Sequence, residues 1–169
     1  MKKILVFLTV VLLSASVYAQ QGDLSFGAKG SYLTDYKNII YGLDLSYHLT
    51  DPLEISLSQM INPSIIKKED YMRDQKLGLY STNLDFRYYL IYQRYWGSGP
   101  IIGGQYLYVK DKENEIYNIN SFGVNIGWHL RVNINDNLRV SGSWKYSSGQ
   151  DETSYNAYSL GLCYTLNIF

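Results

Sequence analysis

The chain has 169 residues, with 15 basic side chains, 15 acidic ones and two histidines, so its formal net charge at pH 7 is zero. That balance offers no basic stripe and argues against nucleic acid as a partner. A single cysteine, Cys163, excludes an intrachain disulfide framework and a cysteine-rich zinc site.

The chain opens on "MKKILVFLTVVLLSASVYAQ". Lys2 and Lys3 form a positive n-region, residues 4–13 an apolar h-region, and Val17-Tyr18-Ala19 a cleavage site with small or tolerated side chains. We read residues 1–19 as a secretory signal peptide and residues 20–169 as one domain. The apolar run is short of the roughly 18 to 20 residues that a spanning helix needs, and no Cys follows it to mark a lipoprotein. Without Lys2 and Lys3 the remaining chain holds 13 basic against 15 acidic side chains, again too even for a polyanion-binding domain.

Period-two alternation then recurs to the end of the chain, in eight segments: 24–32, 39–49, 53–61, 80–90, 102–108, 122–132, 138–146 and 158–168. No stretch sustains a helical period. The fifth segment, within "IIGGQYLYV", alternates poorly. Connections 35–38, 62–76, 110–118 and 147–155 are mostly longer and rich in charge, whereas 50–52 and 133–137 are turn-like. The connection 91–100, "IYQRYWGSGP", is longer than a tight turn. Pro52, Pro63 and Pro100 fall at the edges of the periodic segments, as proline in a sheet must. No linker or second domain is visible.

Each segment has a more apolar phase, such as Ile39, Tyr41, Leu43, Leu45, Tyr47 and Leu49 in the second, and that phase carries no charge. The opposite phase holds Lys29, Asp44, Glu54, Asp85, Arg87, Arg131, Arg139 and Lys145, with His48 and His129, among many Gly and Ser residues. A strand face washed by solvent favours Lys, Glu and Thr. Gly and Ser suit the crowded inside of a small closed barrel instead. Aromatics gather at both ends of the apolar face: Tyr32, Tyr80, Tyr106, Tyr108, Phe122, Trp144, Tyr146 and Tyr158 toward the loops, and Tyr47, Tyr88, Tyr92, Tyr95, Trp96 and Trp128 toward the turns. Amphipathic rings form such belts at lipid–water boundaries. The expected fold is all-β, a closed antiparallel eight-stranded transmembrane β-barrel with a polar, plugged interior. A soluble secreted barrel holding an apolar ligand is the alternative.

With these features the chain resembles the small eight-stranded outer-membrane barrels of the OmpX and OmpA-transmembrane-domain type. The resemblance covers the signal peptide, the eight segments and the terminal "GLCYTLNIF", although Phe169 is one residue out of phase with Leu160, Leu162, Tyr164, Leu166 and Ile168. It implies location in the cell outer membrane of a Gram-negative envelope, and contact with outer-membrane lipids and the barrel-insertion machinery. It also implies a monomer whose outward loops meet a surface protein or glycan.

The inward charges, Lys29, Asp44, His48, Glu54, Asp85, Arg87, His129, Arg131, Arg139 and Lys145, are read as a lumen charge network, because buried ions persist only when paired. Ile65, Ile66, Tyr71 and Met72 in the largest loop are candidates for interaction. Some barrels of this size are lipid-modifying enzymes, and Asp44, Ser46 and His48 in "DLSYH" form a loose acid, nucleophile and base set. With Ser so common, a lumen hydrogen-bond network accounts for that trio better, so no catalytic residue is assigned. Two histidines make no convincing zinc site and no cofactor motif occurs, so neither metal nor cofactor is expected. If the barrel spans a membrane, washed membranes retain the protein through high salt and carbonate and release it only to detergent; release by carbonate alone contradicts the reading.

Overall fold

The computed structural model describes residues 22–68, 74–111, 118–149 and 154–167. Eight long strands and one short one follow in order: β1 (Asp23–Leu33), β2 (Asn38–Thr50), β3 (Leu53–Lys68), β4 (Asp74–Tyr88), β5 (Ile91–Tyr92), β6 (Trp96–Asp111), β7 (Ile119–Asn133), β8 (Leu138–Gly149) and β9 (Tyr155–Asn167). Every long strand pairs antiparallel with two neighbours. β1 lies between β2 and β9, and β4 joins β6 from Leu77 opposite Asp111 to Arg87 opposite Ile101, which closes the sheet into a barrel. Closure matters because an amide with no water to bond must find a partner in the next strand.

The alternation in the sequence becomes the two faces of the wall. Leu43 (70% exposed), Leu160 (68%) and Ile102 (64%) point outward, as do Phe122, Val124, Ile126, Trp128, Leu130 and Val132 of the "FGVNIGWHLRV" strand. Soluble monomers rarely expose contiguous apolar patches beyond a few hundred Å². Here the apolar face runs around the whole barrel, and the buried side chains are mostly Ser, Asn, Asp, Glu, His, Lys and Arg. That inversion of inside and outside is the signature of a barrel wetted by lipid.

Two departures from the expected elements stand out. β3 continues to Lys68 and β4 begins at Asp74, so most of the expected 62–76 loop is paired strand, with a register shift between Asn62 and Ile65. The connection 91–100 is also largely strand: β6 starts at Trp96, and the short β5 pairs with it, Ile91 opposite Ser98 and Tyr92 opposite Gly97. Tyr89 N donates to Pro52 O at 2.7 Å and Gln93 N to Trp96 O at 2.9 Å, which folds this segment back over the turn end of the barrel. A side chain at Gly97 would press on the Tyr89 ring, 2.7 Å from its Cδ1, so the glycine makes room for that ring.

Inside the loop end the lumen turns apolar. Leu33, Ile40, Met60, Leu77, Leu79, Leu107, Val109, Tyr155 and Ala157 form one buried cluster, with Tyr36 of the 34–37 turn packed against it. The strands therefore carry two interiors, an apolar one beneath the loops and a polar one through the membrane.

Leu162 lies near the middle of β9 on the outer face. Its replacement by Arg is expected to cost about 2–4 kcal/mol, the depth-dependent penalty for a cation at the bilayer midplane. Urea unfolding in lipid vesicles measures it.

Candidate functional site

All ten charged or ionisable residues singled out in the sequence are buried in the lumen. Strand register decides which of them meet. His48 lies opposite Glu54 on β3, and Glu54 lies opposite Arg87 on β4, so three adjacent strands bring a base, an acid and a base into one row. Glu54, 1% exposed, is the hub. Its Oε1 accepts from Arg87 Nη1 at 2.6 Å, and its Oε2 accepts from Tyr89 Oη at 2.9 Å and Arg139 Nη1 at 3.2 Å. His48 Nε2 lies 2.9 Å from the same Oε2 and 2.6 Å from Arg131 Nη1. A guanidinium only donates, so a neutral His48 ring serves Glu54 or Arg131 through that nitrogen, not both.

Arg87 spans two carboxylates. Its Nη2 donates to Asp44 Oδ1 at 3.1 Å and to Ser56 Oγ at 2.7 Å, and Ser56 in turn donates to Asp44 at 3.0 Å. Lys29 Nζ stands 3.8 Å from Asp44. Toward the loops, Lys145 Nζ donates to Asp85 Oδ2 at 2.9 Å and Asn83 Oδ1 at 3.2 Å. Asn125 Nδ2 donates to Asp85 and Asn83, both at 3.1 Å, and Ser147 Oγ donates to Asn125 Oδ1 at 2.7 Å. Charge-assisted bonds of this kind offset the heavy cost of taking ions out of water, so long as no partner is missing.

At the turn end an aromatic group caps this network. Tyr89 is 3% exposed, stacks on His48 with ring centroids 5.6 Å apart and meets His129 edge-on at 4.4 Å. The Arg131 guanidinium sits over the rings of Tyr89 and Tyr92, 4.7 and 4.9 Å from their centroids. Cation–π contacts suit a desolvated guanidinium that meets no carboxylate. The sequence pattern alone puts Tyr92 in a lipid belt and gives Tyr89, Asn83, Asn125 and Ser56 no role. The inward phase of β4, β7 and β3 is the available signal for all four, since Tyr89 follows Asn83, Asp85 and Arg87 on the same phase.

The trio Asp44, Ser46 and His48 does not form a relay. Asp44 bonds Arg87 and Ser56, Ser46 Oγ accepts from Arg139 Nη2, and His48 faces Glu54 and Arg131. No group of three or more His, Cys, Asp or Glu side chains among the described residues is placed to hold a metal. Of the loop candidates, Ile65 and Ile66 lie on β3 opposite Leu77 and Lys76, whereas Tyr71 and Met72 lie outside the described residues.

A closed barrel with an apolar wall and an ion-paired, aromatic-capped interior is an integral membrane protein of the plugged eight-stranded kind. The chain belongs to the outer membrane protein beta-barrel domain family, whose model matches residues 5–165, and its place is the outer membrane. Solved structures of the same fold include Ail, the attachment invasion locus protein of Yersinia pestis, with 17% identity and a TM-score of 0.57 over 86% of this chain and 98% of Ail. Ail has also been solved with the heparin analogue sucrose octasulfate. A major outer membrane protein from Thermus thermophilus is similar at 11% identity and a TM-score of 0.62, over 86% of this chain and 99% of its own. Neisserial surface protein A is similar at 11% identity and a TM-score of 0.51, over 88% and 96% of the two chains. At such identities the likeness concerns the fold. No curated protein matches the sequence.

Removing the hub should be costly. Glu54→Ala leaves Arg87 and Arg139 buried without their shared acceptor, with an expected loss of about 3–5 kcal/mol. Combined with Arg139→Met, the loss is smaller than the sum of the two single effects. Urea titrations of the four proteins in vesicles, followed by tryptophan fluorescence, close that cycle.

Proposed function

We propose that this outer-membrane barrel acts as a surface-interaction protein without catalytic activity, offering its loop end to a surface protein or glycan. The observation that carries the reading is strand length. β3, β4, β6 and β7 have 15 or 16 residues, beyond the roughly 9 to 11 that a tilted strand needs to cross a bilayer. The β2 to β3 ladder ends at Tyr41 opposite Ile61, while β3 continues to Lys68 paired with β4. Likewise the β7 to β8 ladder ends at Gly123 opposite Gly149, while β7 begins at Ile119. A four-stranded blade rises above the shorter wall, with β3 at one edge and β7 at the other.

An exposed strand edge is a template for another strand, and loops on a rigid support are where partners are met. Pro63 on the β3 edge limits indiscriminate pairing, since it offers no N–H. In this reading residues 1–19 direct export and are removed, the short turns face the periplasm, and the apolar residues Ile65, Ile66, Tyr71 and Met72 of the sequence around the β3 to β4 connection are those offered to the partner. The structure of Ail with a heparin analogue supports a sulfated glycan as one class of partner. The dispersal of Asp44, Ser46 and His48 among other partners weighs against the lipid-modifying alternative, and lipid A profiles are expected to be the same with His48→Ala as without it.

The test uses the folded barrel in nanodiscs on immobilised heparin, neutral glycans and extracellular-matrix proteins. Wild type is expected to be retained on at least one surface. Replacing Ile65, Ile66, Tyr71 and Met72 together by Ser should weaken that retention about tenfold or more while heat-modifiable gel migration is unchanged. Wild type that passes over every surface contradicts the reading.

A further inference from the structure

The lumen holds more positive charge than its carboxylates neutralise. Among the described residues, five buried cations (Lys29, Arg87, Arg131, Arg139 and Lys145) face three buried carboxylates (Asp44, Glu54 and Asp85). Each carboxylate is already committed: Asp85 to Lys145, Asp44 to Arg87 and Lys29, and Glu54 to Arg87 and Arg139. Among the described residues Arg131 pairs with none of them and instead meets His48 Nε2 and the faces of two tyrosines. The Nε–H groups of Arg87 and Arg131 are buried donors without an acceptor. Low-dielectric burial makes such donors and such excess charge expensive.

These groups converge on one cavity. It measures about 10 Å³, and Lys29, Arg87, Arg131 and Arg139 line it together with Ser141, Ser143, His129, Tyr89 and one carboxylate, Glu54, whose oxygens are already taken by Arg87, Arg139, Tyr89 and His48. That is room for a single occupant close to the size of a water molecule. Ser141 and Ser143 project from β8 on the same phase as Arg139 and Lys145, and their short side chains leave the space that four cationic side chains approach. A water molecule there would accept hydrogen bonds but neutralise nothing. A carboxylate or phosphate is too large.

We propose that this cavity is a binding site for a monatomic halide, chloride under ordinary conditions, held as the counter-ion that the interior otherwise lacks. Arg131 and Arg87 supply N–H donors, Ser141 and Ser143 supply hydroxyls, and the Tyr89 and Tyr92 cap shuts the site from the turn end. The ion is a structural component of the plug, and its role does not depend on what the loops bind.

Crystals of the detergent-solubilised protein grown in sodium bromide provide the direct test. An anomalous bromine peak is expected between Arg131, Ser141 and Ser143. In parallel, thermal unfolding is followed in sodium chloride and in sodium gluconate at equal ionic strength, and the midpoint should be higher in chloride and saturate with its concentration. Ser143→Asp places a fixed carboxylate at the site and should abolish both the peak and the chloride dependence while the protein still folds. Arg131→Met should also lose both, and Ser143→Asp keeps the test decisive if Arg131→Met does not fold. A folded wild type with no bromine peak in the lumen, or a chloride preference that persists in Ser143→Asp, overturns the proposal.

Discussion

A backbone amide inside a bilayer has no water to turn to, and every other feature of this molecule follows from that constraint. β1 satisfies its ladder on both sides, with β2 and β9, and β4 meets β6 so that no edge is left facing lipid. Closure then fixes what each face must be. Side chains on one phase meet hydrocarbon, so most of them are Leu, Ile, Val, Phe, Tyr and Trp. Side chains on the other meet one another in a space too narrow for bulk water, and an eight-stranded barrel leaves just enough room for them.

A polar interior is expensive to desolvate, and this one offsets much of the cost by sharing each carboxylate among several donors. Glu54 collects two guanidiniums, a phenol and an imidazole, while Arg87 bridges Glu54 to Asp44 and reaches Ser56. Neutral amides extend the same logic toward the loops, where Asn83 and Asn125 complete the shell of the Asp85 and Lys145 pair. Stability at the level of Glu54 thus rests on interlocked bonds, in which the loss of one member strands the others. Arg131 is solved differently, by the faces of Tyr89 and Tyr92, and the aromatic cap is therefore as much an electrostatic element as a steric one.

The class of fold was legible because period two survives in sequence without any knowledge of neighbours. Ile39 to Leu49 and Phe122 to Val132 announce their faces unaided, and inward placement of Lys29 or Arg139 follows from phase alone. Register is not written in that way. That His48, Glu54 and Arg87 share a row depends on how three strands slide past one another, which two turns and a closure set jointly. The fifth segment resisted reading for a physical reason: Leu107 and Val109 enter the apolar cluster while Ile102, Tyr106 and Tyr108 face outward, so both phases are apolar. The inward phase of Tyr89 was legible beside Asp85 and Arg87, but its contacts with His48, His129 and Glu54 were not, since they depend on strands far apart in sequence.

The change of interior along the barrel axis bears on how function and stability coexist. Through the membrane the outside is apolar and the inside polar. Beneath the loops Leu33, Leu79, Leu107 and Val109 turn the inside apolar, as in a sheet surrounded by water. Strands that continue past the lipid thus lose one source of order and gain another, the ordinary hydrophobic effect. The apolar cluster lies between the ionic network and the blade of β3, β4, β6 and β7, and the ion pairs of the lumen join Lys29, Asp44, Arg87, Glu54, His48 and Arg139 in one set and Asp85 with Lys145 in another. Changes at distant sites that share no partner combine additively. The blade edge is therefore free to take residues that suit a partner, including exposed apolar ones, without disturbing the charges that hold the barrel interior together.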